Sequence, residues 1–405
     1  MQASPDDYCW LVSSAAADWL HEAAAAGPNL VAATARLRKG LSAERTHLVL
    51  EQAELRRRAK SKFELASSMF FTPIGLEQAS DSIIARYKAQ RFGDFVDVTD
   101  LCCGIGGDLL ALAQLGQTVG VDRDVAVSIL AEANLRVAAE AVEPGASLRR
   151  GESFVVTGEV TPRSVDDCGA WHLDPDRRPA GRRTTHVELA EPSPAAIDAL
   201  RDVQPNGAVK LAPASDVPDD WSGEAELEWI SRGGECRQLV VWFGRLASAV
   251  GQRRATALDK LGGAASICGP VSGEPPRAPV AAQLGRYLFE PDAAVLAAEL
   301  VGTLANDFSL RSIAPGAVYL TGDSSMASAL LTPFEIQEVL PLDLKRIKAL
   351  VRARGIGQLE VKKRGVDHDP AAIQKQLRGP GSERATLILT RIKDDAIAIL
   401  ARRVE

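Results

Sequence analysis

The stretch Asp100-Leu101-Cys102-Cys103-Gly104-Ile105-Gly106-Gly107-Asp108 decides the reading of this chain. It follows Val96-Asp97-Val98-Thr99, and residues 96–101 together read as a strand. Residues 108–115 read as the helix after it. Glycines at such a junction let the backbone bend sharply and let a ligand approach closely. The start of the helix supplies free N–H groups. Eighteen residues after Gly104 comes Asp122, at the end of a second short strand over 119–122. A carboxylate there can accept hydrogen bonds from both hydroxyls of a ribose.

Two nucleotide-type ligands compete for such a turn. A nicotinamide dinucleotide asks for G-x-G-x-x-G, whose third glycine packs helix on strand. Here the pattern runs G-x-G-G-D. Asp100 and Asp108 also set carboxylates beside the loop. They would repel a pyrophosphate but suit a sulfonium and an α-amino group. The charge pattern therefore favours S-adenosylmethionine. The plain alternative is a glycine turn in an α/β protein that holds no nucleotide.

Outward from the loop, strands and helices alternate. Residues 125–140 read as a helix, 171–174 as a strand ending in a proline turn, and 208–211 as another strand. Repeated βα units imply a parallel sheet with helices on both faces. The runs 226–230 and 237–243, joined through Ser231-Arg232-Gly233-Gly234, give a hairpin signal. Residues 1–92 are dominated by Ala, Leu, Glu and Arg and read as helical. Residues 262–279, rich in Gly and Pro, read as an exposed loop. Residues 284–290 read as a strand and 292–304 as a helix. Residues 335–340, 343–354, 359–363, 370–377, 385–392 and 396–401 read as βαβαββ, a small α+β domain. The expected division is a helical region over 1–92, a Rossmann-like domain over 93–250, an accessory region over 251–330 and a terminal domain over 331–405.

Length and composition bound the rest. The 405 residues suggest two or three domains. The net charge of -6 excludes a uniformly polybasic nucleic-acid binder. No apolar run approaches the roughly 18–20 residues that span a bilayer, and Met1-Gln2-Ala3-Ser4-Pro5-Asp6-Asp7 lacks the start of a signal peptide. The six cysteines form no CxxC pair and keep no ligand rhythm with the five histidines. The expectation is a cytoplasmic protein with reduced cysteines, no metal and no membrane contact.

The loop resembles methyltransferase motif I, and residues 119–124 resemble motif II. Upstream, Met69-Phe70-Phe71-Thr72-Pro73-Ile74-Gly75-Leu76-Glu77-Gln78-Ala79 is similar to motif X of trimethylguanosine synthase-like RNA methyltransferases. Leu359-Glu360-Val361-Lys362-Lys363-Arg364-Gly365-Val366 resembles the central motif of the bacterial THUMP-like domain. Together these resemble bacterial class I methyltransferases with a C-terminal THUMP-like domain. The resemblance implies an α/β fold: a Rossmann-like sheet with an antiparallel hairpin, a helical N-terminal region and a small C-terminal α+β domain. It implies S-adenosylmethionine as cofactor, with Thr72 at its methionine end. Asp100, Cys102, Gly104, Ile105, Gly106, Gly107 and Asp108 would line it. Asp122 would hold the ribose, next to Arg123, and Glu152 would sit near the adenine.

Asp174-Pro175-Asp176-Arg177 stands where amino-methyltransferases carry motif IV, usually Asp/Asn-Pro-Pro-aromatic. There the carboxylate and a proline-fixed carbonyl orient an amine toward the methyl, which is catalysis mainly by positioning. Asp174 and Pro175 keep the pattern. Asp176 and Arg177 depart from it. The guanidinium plane of Arg177 could stack on a base, or Asp176 could form plain salt bridges.

Over residues 341–365 eight basic residues stand against Asp343 and Glu360. Lys345, Lys348 and Arg352 share one helix face, and Lys362, Lys363 and Arg364 end the next strand. Such a patch in an acidic protein is the footprint of phosphate binding, or a solvated helix face. With the resemblance it points to RNA, structured RNA such as rRNA or tRNA. The basic run Arg56 to Lys62 could extend that surface. The expected function is RNA methylation. The rivals are an RNA-binding or assembly factor that keeps the cofactor fold without turnover, and a methyltransferase acting on a protein or small molecule.

Overall fold

The computed structural model describes residues 3–27, 30–141, 152–176, 185–393 and 395–404. It divides into two compact units. Residues 1–226 and 239–250 make the first, and residues 227–238 and 251–405 the second. The helical residues 1–92 belong with the Rossmann-like sheet, and the accessory and terminal regions share one unit.

In the first unit, β1 (Asp97–Leu101), β2 (Gln117–Asp122), β3 (Phe154–Thr157), β4 (Ala170–Leu173) and β5 (Gly207–Leu211) form a parallel sheet in the order β3-β2-β1-β4-β5. Residues 239–242 then pair antiparallel to β5. β4 and β5 are buried throughout, so they read as continuous apolar runs rather than alternating ones. β3, Phe154-Val155-Val156-Thr157, is a short run of strand-forming residues that is not among the expected strands; it is four residues long and mostly exposed, without an alternating buried face.

The helices Ala43–Ala59 and Val125–Glu140 flank this sheet. Each starts on a side-chain cap: Ser42 accepts from the Arg45 N–H, and Asp124 from the Val127 N–H. The helix after the glycine loop covers only Leu109–Leu112, shorter than expected. Phe70 and Phe71 are core residues, in apolar clusters with Leu48 and Leu130 and with Phe63 and Leu76 respectively. No helix among the described residues is long and apolar enough to cross a membrane.

In the second unit, β6 (Glu226–Arg232) and the first half of β7 (Glu235–Trp242) carry the expected hairpin sequence. β8 (Gln252–Leu258) pairs parallel to β6, and β9 (Ala264–Pro270) antiparallel to β8. The loop expected over residues 262–279 is thus confined to 271–279, since residues 264–270 are strand. Gly262-Gly263 is the turn of a hairpin, in which Asp259 Oδ1 accepts from the N–H groups of Leu261 and Gly263. The single helix expected over 292–304 is two, Ala293–Ala297 and Val301–Asp307, broken at Glu299 with its φ of 58°.

A seven-stranded sheet completes this unit. It is built from β10 (Tyr287–Pro291), β11 (Arg311–Ser312), β12 (Leu320–Gly322), β13 (Leu331–Pro341), β14 (Ile356–Lys363), β15 (Glu383–Ile392) and β16 (Asp395–Arg403), in the order β11-β12-β10-β13-β16-β15-β14. The helices Leu344–Ala353 and Pro370–Leu377 fall where the sequence places them. Ile347, Val351, Ile373 and Leu377 pack on Leu359, Leu387, Leu389 and Leu400. β13 to β16 are the expected βαβαββ module, and β10 to β12 extend its sheet.

Candidate functional site

A cavity of about 780 Å³ opens in the first unit at the carboxyl ends of β1, β2 and β4. Ligands of α/β sheets bind at this end. Thr72, Asp100, Cys102, Gly104, Ile105, Gly107, Asp108, Asp122, Arg123, Asp174, Pro175 and Asp176 all line it. Gly106 does not, but its φ of 91° makes the turn. Glu152 is exposed, ahead of β3, and is not part of the lining. Glu159, just past β3, is. Arg177 lies outside the described residues.

Tight packing holds the loop. Two buried amides clamp the segment before Thr72. Gln52 bonds both backbone groups of Phe71. Asn134 accepts from the Phe70 N–H and donates to the carbonyls of Phe70 and Ile105. Asn134 thereby ties the motif X segment to the glycine loop. Thr72 caps the helix Pro73–Gln78, its hydroxyl accepting from the Gly75 N–H at 2.9 Å. A Cβ on Gly75 would sit 2.6 Å from Ile105 Cγ2. One on Gly107 would sit 3.2 Å from the Ser80 backbone. Lys62 donates to the carbonyls of Leu76, Glu77 and Ala79 at the far end of that helix. Arg56 donates to the carbonyls of Met69 and Ser68, and burial lowers it to about 10. Both are therefore spent on the fold, which corrects their expected part in a basic surface.

The cavity floor is ionic. Asp100 and His172 are register partners on β1 and β4, and His172 Nδ1 lies 2.7 Å from Asp100 Oδ1. Lys88 Nζ lies 2.7 Å from Asp108 Oδ1 and 3.2 Å from His172 Nε2. Ser80 donates to Asp108 Oδ2 at 2.8 Å. Burial would raise Asp108, but Lys88, His172 and Lys210 outweigh it and hold this carboxyl well below the usual range. Lys210, 4% exposed, donates to Asp174 Oδ2 at 2.6 Å and to the Gln78 carbonyl at 3.0 Å. Sequence reading missed Ser80, Lys88, His172 and Lys210. The available signal was a charged or polar residue inside an apolar strand, as in Trp171-His172-Leu173 and Val209-Lys210-Leu211.

These residues fit S-adenosylmethionine. Asp100 is 1% exposed, and its Oδ2 has no hydrogen-bond partner. A buried acceptor left this way calls for a donor, which an α-ammonium supplies. A Cβ at Gly104 would meet nothing within 4 Å, and its φ of 55° shapes an open cradle. Asp122 Oδ2 accepts from the Gly104 N–H and Oδ1 from the Asp124 N–H, so it faces the cradle with lone pairs to spare. When bound, the cofactor supplies an electrophilic methyl on a sulfonium. Asp176 bridges backbone-to-backbone with Glu191, and Arg123 pairs with both side chains at 3.7 and 2.8 Å.

The basic residues of the second unit divide in two. Lys362 pairs with Glu290 at 2.7 Å, Arg354 with Glu338 at 2.9 Å and Arg346 with Asp343 at 3.7 Å. Lys345, Lys348, Arg352, Lys363 and Arg364 make no ion pair among the described residues, and all but half-buried Lys348 are exposed. Lys363 pairs in register with Leu389, Leu389 with Ala398 and Ala398 with Leu340. The end of β14 thus shares a sheet row with the end of β13, from which the helix bearing Lys345 departs.

The THUMP domain-like family matches residues 331–403. Among solved structures, a candidate methyltransferase from Porphyromonas gingivalis W83 covers 96% of this chain and 98% of its own, with a TM-score of 0.76 and 21% identity. That likeness shows the fold. An uncharacterized S-adenosylmethionine-dependent methyltransferase of Mycobacterium tuberculosis is 33% identical over 363 residues, covering 86% of this chain and 94% of the relative in strains H37Rv and CDC 1551 alike. On that similarity the chain belongs to the S-adenosylmethionine-dependent methyltransferases.

Proposed function

We propose that this methyltransferase acts on RNA, with structured RNA such as rRNA or tRNA as substrate. One observation carries the reading: Lys345, Lys348 and Arg352 on the helix Leu344–Ala353, and Lys363 and Arg364 at the end of β14, stand without ion-pair partners among the described residues, in a chain of net charge -6. Exposed cations left free in this way bind a polyanion through counterion release. Cofactor contacts are proposed for Thr72, Asp100, the glycine loop, Asp122 and Arg123.

Asp174 and Pro175 are proposed to orient the acceptor. Lys210 holds the Asp174 carboxylate in place through Oδ2, so Oδ1 can take an N–H of an amine and turn its lone pair toward the methyl. Holding the two reactants in line is the main source of rate. Ile74, 57% exposed and part of the lining, offers apolar surface at the cavity mouth. A second reading, an RNA-binding factor without turnover, draws on Asp176, which is tied to Glu191 and Arg123 rather than free for a substrate.

Transfer of labelled methyl to RNA from cells lacking the protein separates the two. Wild type is expected to label RNA. Asp174→Ala is expected to bind the cofactor and to label RNA about a hundredfold more slowly. A wild type that binds cofactor and RNA without transfer supports the second reading.

A further inference from the structure

The floor network contains groups that no methyl transfer requires. Lys88 and His172 are both buried, and neither lines the cavity. An ammonium can only donate, so His172 Nε2, which faces Lys88 Nζ at 3.2 Å, is the acceptor. Nδ1 then carries the proton and donates to Asp100 Oδ1. Lys88 is itself fixed, because it faces Asp108 Oδ1, His172 Nε2 and the Ser80 hydroxyl at 2.7, 3.2 and 3.4 Å. The chain Ser80–Asp108–Lys88–His172 therefore ends on one oxygen of Asp100. The other, Oδ2, is buried and without a partner, and Asp100 lines the cavity.

We propose that His172, oriented by Lys88, is a positioning residue that locks the Asp100 carboxylate with Oδ2 free for the α-ammonium of the cofactor. This rests on the reading of Asp100 as a cofactor contact. A carboxylate held by one hydrogen bond on Oδ1 cannot rotate to satisfy both oxygens within the protein. The unmet acceptor is thereby kept for the ligand, which is preorganisation of a binding group.

Two amide variants test it, because each keeps half of the imidazole's bonding. His172→Asn places an amide N–H where Nδ1 stood and keeps the bond to Asp100. His172→Gln reaches toward Lys88 and gives up that bond. The probes are S-adenosylhomocysteine, which carries the α-amino group, and 5′-methylthioadenosine, which lacks it. Binding to the full chain is measured by calorimetry from pH 5 to 9. Wild type and His172→Asn are expected to bind S-adenosylhomocysteine within about threefold of each other. His172→Gln is expected to lose about tenfold or more, the order of one hydrogen bond to a charged group. 5′-Methylthioadenosine affinity should be unchanged in all three.

Asp100 faces His172 from β4, Lys88 from the helix Ser82–Ala89, and Asp108, Cys102 and Cys103 from its own loop. Burial raises its carboxyl and His172 opposes the rise. In His172→Gln the affinity for S-adenosylhomocysteine should therefore fall away at a higher pH than in wild type. Equal loss of both probes in His172→Gln, or loss of neither, overturns the proposal. A wild type that binds the two probes equally overturns the reading of Asp100 itself.

Discussion

The two units use charge in opposite ways. In the cavity, Lys88, Lys210, Asp100, Asp108 and His172 are buried, and each has a named partner. In the terminal module, exposed Lys345, Arg352, Lys363 and Arg364 and half-buried Lys348 have no ion pair among the described residues. A buried charge costs several kcal/mol unless it is paired. The cavity charges therefore persist only as a fixed network, and their role is geometric. Exposed charges add little to stability, so the proposed RNA contact, and not the fold, would account for the basic face. Substitutions should separate the two behaviours.

The largest effect is expected at Lys88. Lys88→Met removes the cation in contact with buried Asp108 and should cost about 3–5 kcal/mol, read by urea unfolding. The sign of the pH dependence should change with it. In wild type Asp108 is held below its ordinary value of 3.8. Its contribution is present above that value and lost as the pH falls below it. In Lys88→Met burial acts without its main opponent, so this contribution reverses and acid relieves the strain.

Next comes Asp174. Asp174→Ala should lower the single-turnover methyl transfer rate by about a hundredfold while cofactor affinity stays unchanged. An equal loss of both would move Asp174 into the cofactor site. Gly75→Ala should raise the dissociation constant for S-adenosylmethionine, since its Cβ would press on Ile105 at 2.6 Å. Overpacking of this kind costs about 1–3 kcal/mol.

The basic face should show the opposite profile. Replacing Lys345, Lys348 and Arg352 by Ala should change the urea midpoint little, with each surface substitution within about 0.5 kcal/mol. The slope of log affinity for RNA against log salt should fall by about 1 for each cation removed. Lys362→Ala marks the smallest effect. Its ammonium is already paired with Glu290, so RNA affinity should move less than with Lys363→Ala. An equal loss would mean that the pair opens on binding.

The same contrast explains what the sequence made legible. The glycine loop, Asp122 and Asp174 follow local rules of turn and strand end, and the structure gathers them at one cavity. The terminal βαβαββ module was readable from periodicity; Asp343 and Asp369 cap its two helices in the structure. The charge network was not. Asp100 meets His172 only through the register of two strands 72 residues apart, and Lys88 arrives from a helix outside the sheet. Glu152 is expected in place of Glu159 because the short strand between them, Phe154–Thr157, is not among the expected strands, so the residue at its carboxyl end goes unrecognised. The boundary at residue 331 follows the homologous module, whereas the hydrogen-bonded sheet also includes β10 to β12.

The most direct test is methyl transfer to RNA at graded salt by wild type and by the Lys345, Lys348, Arg352 triple alanine variant. kcat/KM for RNA should fall with salt and with the variant, while the single-turnover rate at saturating RNA stays constant. Transfer to RNA that ignores both salt and the variant would contradict the account, as would label that appears only in protein or small molecules.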